Sequence, residues 1–384
     1  MVLKILFCAT VDYHFKAFHL PYMKWFKEQG WDVHVAAGGK LTLPYTDIKY
    51  SLPIQRSPFC VSNMEAYRQL RNIIEDNNYA LIHCHTPIGG LLARLAAREA
   101  RKCGSKVVYT VHGFHFCKGA PIINWLMYYP IEKSLAQITD CLITINQEDY
   151  ARAVAKRFRA GRIEQVHGVG VDTEMFKPID AHTKNKLRNV FGYQADDVLL
   201  FYAAEFNKNK NQQFLLYALA LLKKEAPHVK LLLAGVGPLL ETSKRLVAEL
   251  GIEKMVDFLG FRNDIDRLLP MCDIAVASSK REGLPVNVME AMACGLPVIA
   301  VTNRGHKELI DDRENGFLVE TWDPEEFSNQ LQTLAENKVM RRKFGRNGRK
   351  KIVATYSITN VLKEKTAIYR SLMIEQEETG WAVQ

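Results

Sequence analysis

Short apolar runs rich in β-branched residues alternate with longer amphipathic stretches through most of the chain. In the first half, the runs near Leu3–Cys8, Asp32–Ala37, Ala80–Cys84, Lys106–Val111, Cys141–Ile145 and Ile163–His167 predict strands. Helical spacing is predicted over His19–Gln29, Met64–Asp76, Gly90–Lys102, Ile122–Gln137 and Gln147–Phe158. The second half repeats the pattern, with strands expected at Val198–Ala204, Lys230–Ala234, Val256–Gly260, Ile274–Ser278, Pro297–Val301 and Gly316–Val319. From Pro324 onward the pattern is helical. Strands that are apolar throughout need cover on both faces, so the alternation predicts an α/β fold of parallel, doubly wound sheets. Two Rossmann-like domains facing a cleft are the expected architecture. In such sheets ligands bind beyond the carboxyl ends of strands, which singles out Thr10–Phe15, His83–Pro87 and His112–His115.

Length and composition narrow the class. At 384 residues the chain exceeds one ordinary core. Its 48% hydrophobic and 24% charged content is that of a soluble globular protein. Val2–Ala9 is short and is followed by Asp12, His14 and Lys16, so it reads as a first strand and not as a signal peptide. No run has the roughly 18 apolar residues of a membrane-spanning helix. The eight cysteines lack paired spacing, as expected of reduced thiols in a cytoplasmic protein. A net charge of +9 suits phosphorylated substrates or anionic lipid. No nucleic-acid-binding motif is visible, which argues against that partner. His83, Cys84, His85, His112, His115 and Cys117 raise the question of zinc. His83 and His85 leave one strand face and Cys84 the other, and no C-x2-C knuckle is present, so no metal is expected.

The densest candidate chemistry lies in SSKREGLPVNVMEAMACGLPVIAV, Ser278 to Val301. A buried strand runs into a turn loosened by Gly283, Pro285 suits a first helical position, and Gly295 ends the helix. The amides of Gly283, Leu284 and Val286 then emerge from a helix N-terminus, ready for an anion. Glu282 lies just before this site and Glu290 about one turn into the helix. From spacing alone, the pair reads equally as solvated surface charges. After the strand ending near Ala234, Gly235-Val236-Gly237-Pro238 reads either as a tight turn or as backbone able to approach a phosphate or ribose.

The E-x7-E pair followed by AMACG-x-PVIA resembles the donor-site signature of the retaining family 4 glycosyltransferases, enzymes of the two-domain GT-B fold. The HGVGVDTEMF segment is similar to the family's NGVD-x-x-x-F, with His167 in place of Asn. The resemblance implies an acceptor-binding domain over 1–179, a nucleotide-sugar domain over 180–356, and a crossover helix and tail over 357–384. It implies transfer of a sugar, without metal or cofactor, from a nucleotide diphosphate-sugar, with a UDP-sugar the expected donor. Glu290 matches the residue that holds the ribose hydroxyls, and Glu282 the one facing the donor sugar. Gly283 and Leu284 match amides to the distal phosphate, with Val286 beside them, and Lys210 matches the cation on the leaving diphosphate. His112 matches the histidine near sugar and β-phosphate, and Gly260 and Phe261 fit the base-contacting turn. Gly235 is a further donor-side candidate, and Asp12, His83 and His85 are acceptor-side candidates.

Two departures stand out. Glu205 occupies a position where the family often has Arg, and is expected to pair with Lys208 or to accept a hydroxyl. Thr10-Val11-Asp12-Tyr13 replaces a glycine pair. The stretches HTPIGGLLAR, YTVHGFHFCKGAP and NWLMYYPIEK resemble a subgroup of bacterial exopolysaccharide and capsule assembly. That subgroup implies a polyprenyl-diphosphate-linked saccharide acceptor at the inner face of the cytoplasmic membrane. A small soluble acceptor, or nucleotide-sugar binding without turnover, are the alternatives. Peripheral membrane attachment is expected through Arg94, Arg98 and Arg101 and through Trp125, Tyr128 and Tyr129.

Overall fold

The computed structural model describes residues 2–320 and 322–378. The chain forms two compact units, one of residues up to Val169 together with those from Val361, the other of Gly170–Asn360. Strands of the first are β1 (Lys4–Val11), β2 (Asp32–Gly38), β3 (Ile48–Ser51), β4 (Leu81–His85), β5 (Lys106–Val111), β6 (Cys141–Thr144) and β7 (Arg162–Gln165). They make a seven-stranded sheet in the order β3-β2-β1-β4-β5-β6-β7, parallel throughout. The second unit holds β8 (Val198–Ala203), β9 (Val229–Ala234), β10 (Val256–Gly260), β11 (Ile274–Ala277), β12 (Val298–Val301) and β13 (Gly316–Val319). Their order is β10-β9-β8-β11-β12-β13, again all parallel. Both sheets are doubly wound, as the apolar strands predicted.

Strand order reverses between β1 and β4 in the first sheet and between β8 and β11 in the second. At such a reversal the two following connections leave on opposite faces, and a crevice opens beyond the strand ends. Central strands are buried on both sides: Leu6, Phe7, Ile82 and Leu200, Phe201 and Val276 are all in the core.

Local departures from the predicted elements have identifiable causes. The edge strand β3 reads IKYS, with exposed ends and half-buried middle residues, so it carries no apolar run to announce it. Tyr13–Phe18 forms a helix of its own ahead of Leu20–Glu28, broken at His19. The expected Gly90–Lys102 helix is two, Pro87–Ala96 and Arg98–Lys102. Ala181–Phe191 is a further helix, one that no predicted element covered. Its Arg188 is buried, donating to the carbonyls of Met271, Ala195 and Asp197 and to the Asp273 carboxylate at 2.5 Å. The first unit ends before residue 179. Val171 N–H donates to Tyr356 O at 2.9 Å, and a Cβ on Gly170 would lie 2.6 Å from Ile358 Cα.

Pro87–Ala96 begins directly over β1. A Cβ on Gly89 would fall 2.7 Å from the backbone carbon of Ala9, closer than packed carbon atoms come. Gly89→Ala is therefore expected to destabilise the chain by about 1–3 kcal/mol through overpacking, read as a lowered urea midpoint at unchanged slope.

Candidate functional site

In the second unit, the loops leaving β8 and β11 are sewn together around Lys210. Its carbonyl accepts from Ser278 Oγ at 2.8 Å and from Tyr202 OH at 3.3 Å. Lys280 N–H donates to Asn209 O at 2.7 Å, and Asn209 Nδ2 donates to Arg281 O at 3.0 Å. With both backbones held, Lys210 Nζ lies 2.5 Å from Glu282 Oε1. Two of the sequence-predicted residues are thus an ion pair, each meeting the other's charge.

Arg304, not foreseen from sequence, braces the same loop through Nε to Glu282 O at 2.9 Å. The next residue has to be small there, since a Cβ on Gly305 would sit 2.8 Å from Glu282 Cβ. Nothing in the spacing of Arg304 relative to Glu282 advertises this contact.

The helix Val286–Ala293 starts where predicted, with Pro285 as its N-cap and not its first helical residue. The N–H groups of Gly283, Leu284 and Val286 carry no hydrogen bond among the described residues, so the helix presents unpaired amides beside the ion pair. Glu290, one turn in, is half-buried and likewise has no protein partner among them. Burial without a compensating charge raises its carboxyl to about 7.

Other donor-side candidates behave differently. Gly235 gives its N–H to Gly260 O at 2.7 Å, and a Cβ there would come within 2.1 Å of Ala204 O. The tight-turn reading therefore accounts for Gly235, whose amide is already used. Gly260 lies in the left-handed region at φ 64° with open space around it, and Phe261 beside it is exposed. Glu205 is exposed and accepts from Asn207 Nδ2 at 3.1 Å, where pairing with Lys208 was one expectation.

In the first unit the β1–β4 reversal is closed by threonines. Thr10 N–H donates to Thr86 Oγ1 at 3.0 Å, and the two hydroxyls lie 2.8 Å apart. Thr86 holds φ at 62°, unusual for a β-branched residue and a strain that surrounding structure must sustain. It lines a cavity of about 380 Å³ together with Thr10, His14, Arg56, His115 and Tyr128.

The acceptor-side candidates need correction against this cavity. Asp12 is buried, with its carboxylate taken by Lys49 Nζ at 2.6 Å and Leu41 N–H at 2.7 Å, so it ties the end of β1 to the loop after β2. His83 is fully buried, and Thr110 Oγ1 and Tyr369 OH occupy its two nitrogens at 2.8 Å each. Both ring nitrogens of His83 are thus used, and Asp12 Oδ2 is engaged within the unit.

His85 Nδ1 meets His112 Nε2 at 3.3 Å, which brings two predicted residues together. They are joined by His14 and His19, whose Nε2 atoms are 3.0 Å apart. One ligating atom from each of these four histidines falls within 4.8 Å of the others. Burial depresses the basicity of all four, that of His14 to about 4, and nearby Lys365 adds to the effect on His14, His19 and His112. Cys84, on the opposite strand face, bonds Val108 O and stays in the core. The group is therefore not the His-Cys set considered from sequence. His14 and His19 come from the helical turn after β1, too far along the chain from His85 and His112 for spacing to reveal.

Two Rossmann-like units with donor-type chemistry beyond β8 and β11 define a glycosyltransferase of the GT-B class, and the comparisons agree. Residues 183–351 match the family described as glycosyl transferases group 1, and residues 4–146 match glycosyl transferase 4-like. The chain is 52% identical over 97% of its length, and 98% of the relative's, to EpsD of Bacillus subtilis (strain 168), which its name marks as a provisional glycosyltransferase. It is 27% identical, covering 82% of this chain and 81% of the other, to the UDP-Gal:alpha-D-GlcNAc-diphosphoundecaprenol alpha-1,3-galactosyltransferase of Escherichia coli. The Anabaena Alr3699/HepE structure in complex with UDP and glucose superposes with a TM-score of 0.79 at 21% identity, covering 96% of this chain and 100% of that one. The chain belongs to the family 4 glycosyltransferases.

Glu290 gives a pH test. Its carboxyl is raised from an ordinary 4.5 to about 7 in the folded chain. The folded state therefore holds a proton that the unfolded state has released between these values. Stability is highest below about 4.5 on this account and falls as pH rises through 7, by up to roughly 3 kcal/mol. Glu290→Gln should remove that part of the slope and be the more stable variant at pH 8. Urea unfolding at pH 5, 6, 7 and 8 on both chains reads this directly.

Proposed function

We propose that this glycosyltransferase is a retaining enzyme that moves a sugar from a UDP-sugar to a hydroxyl of a polyprenyl-diphosphate-linked saccharide in exopolysaccharide assembly. The observation that carries the reading is the Lys210–Glu282 pair, 2.5 Å apart, set immediately before the unpaired amides of Gly283, Leu284 and Val286. A diphosphate would exchange for Glu282 as the partner of Lys210, and its distal oxygens would accept from the amides. Glu282, released, would take hydroxyls of the donor sugar. Glu290 has no side-chain partner among the described residues and would accept the ribose hydroxyls, giving up its proton as they donate. His112, by the family resemblance, would face the transferred sugar.

As the bond between anomeric carbon and diphosphate breaks, its electron pair goes to the departing phosphate. The acceptor oxygen joins the same face of that carbon, and the acceptor's proton passes to the phosphate. Negative charge therefore builds where Lys210 and oriented amides stand, the arrangement that contributes most to such reactions. Exposed Glu205, held by Asn207, needs no part in this, which weakens the motive for a non-catalytic reading. The galactosyltransferase relative, named for a UDP-sugar donor and a diphosphoundecaprenol-linked acceptor, supports the donor and acceptor classes.

The expected membrane face needs revision in its residues. Arg94 is buried in a pair with Glu132 at 2.8 Å, and Arg101 pairs with Asp140. Trp125, Tyr128 and Tyr129 pack against the core. Exposed instead are Ile122, Ile123 and Leu126, and Phe59, Val61 and Met64. These sit on the two segments that also supply Tyr128 and Arg56 to the cavity beyond β1 and β4. Among the described residues no helix is long and apolar enough to cross a membrane. We place a peripheral lipid contact on these two apolar segments, beside the acceptor cavity.

Release of UDP from a panel of UDP-sugars, with and without membrane extract, tests the activity. Lys210→Ala should cut turnover by about 10²-fold or more while Lys208→Ala leaves it nearly unchanged. Equal effects would remove Lys210 from the phosphate site. For the lipid contact, flotation with anionic vesicles should fall when Ile122, Ile123 and Leu126 are all changed to Ser, and equal flotation of both chains would move the contact elsewhere.

A further inference from the structure

The four-histidine cluster at the β1–β4 crevice has no task in the donor chemistry beyond the one given to His112. His14 lies on the Tyr13–Phe18 helix and His19 at its end, while His85 closes β4 and His112 follows β5. The His14 and His19 Nε2 atoms face each other at 3.0 Å, and His85 Nδ1 faces His112 Nε2 at 3.3 Å. In each facing pair of neutral rings, a single proton serves two nitrogens. A tetrahedral metal ion with nitrogen ligands at 2.0–2.1 Å spaces those ligands about 3.3 Å apart, close to both separations. All four rings offer an atom within 4.8 Å of one another. His85 is fully buried and, among the described residues, its Nε2 has no hydrogen-bond partner, so Nδ1, facing His112, carries the ring's polar contact.

We propose that His14, His19, His85 and His112 form a binding site for a tetrahedral transition-metal ion of the Zn²⁺ class. Four imidazoles without carboxylate suit a borderline-soft ion and exclude Mg²⁺ and Ca²⁺, which take oxygen ligands. Lys365 is the buried cation that opposes it. Its amine rests over the Tyr22 ring at 4.2 Å and makes no hydrogen bond to the histidines. The ion would pin the first helical turn, which also supplies His14 to the cavity wall, to the ends of β4 and β5. It would take Nε2 of His112 and leave Nδ1, so occupancy would fix the ring that the donor reading assigns to the sugar. In the donor reading Lys210 and the amides supply the positive charge at the diphosphate, and the ion has no part in it.

The experiment is Co²⁺ titration of the full chain without a histidine tag, after chelator treatment, followed by Zn²⁺ displacement. One Co²⁺ per chain is expected, with the visible ligand-field absorption of tetrahedral nitrogen coordination and no near-ultraviolet thiolate band. His14→Gln and His19→Gln should each weaken binding by about 100-fold or more, as loss of one ligand in four. Zn²⁺ should also raise the melting temperature of the unmodified chain, a readout that needs no variant. Absence of stoichiometric binding, a thiolate band, affinity unchanged by both substitutions, or no Zn²⁺-dependent shift in melting would overturn the assignment.

Discussion

Both candidate sites of this chain follow from the reversal of strand order at the centre of each parallel sheet. Parallel strands cannot be joined by tight hairpins, so each connection must climb over one face. Where successive connections go to opposite faces, the strand ends between them stay uncovered. The chain meets this exposure twice, between β1 and β4 and between β8 and β11. At the first, Thr10 and Thr86 close the gap with mutual hydrogen bonds. At the second, Lys210 and Glu282 do so with charge. Polar groups are needed because the exposed backbone at strand ends must be satisfied, and those same groups are then available to a ligand.

The second crevice holds its charges in a poised state. Tyr202, Ser278 and Asn209 fix the two loops, which holds Lys210 and Glu282 within reach of each other. Their mutual neutralisation removes the cost of two partly buried charges. Glu290 has no such relief, and its raised carboxyl records the cost. A carboxyl left unpaired beside open amides is a stability defect in the free chain and, under the proposed function, a recognition element for a ligand with hydroxyls. Function and stability pull in opposite directions at this residue.

The first crevice is lined with rings. Phe7, Phe15 and the histidines His14, His19, His83 and His85 pack edge to face, tilted or stacked, with centroids between 4.1 and 6.4 Å. Burying imidazoles in such a layer keeps them neutral, since the cation would lose its hydration. Lys365, buried from the C-terminal helix, is driven down to about 7 by the same loss. Tyr369 on that helix bonds His83, so the last helix is part of how the layer is sealed.

The amino-acid sequence by itself determined the class of fold, because uniformly apolar strands alternating with amphipathic helices have few other solutions. It also determined the contiguous part of the proposed donor site: a strand, a glycine turn, a helix start and Glu290 one turn in follow from neighbours along the chain. Elements with weak local signals escaped it, as the half-exposed strand β3 and the short Tyr13–Phe18 helix show. Tertiary structure alone decided which groups meet across the sheets. It joined Lys210 to Glu282, brought Arg304 under the Glu282 loop, and consumed Asp12, His83 and the Gly235 amide in internal bonds. It also gathered His14 and His19 to His85 and His112. The reason is physical: secondary structure is set by neighbours in sequence, whereas pairing at strand ends depends on sheet order and register, which arise only when distant segments bury their apolar faces together.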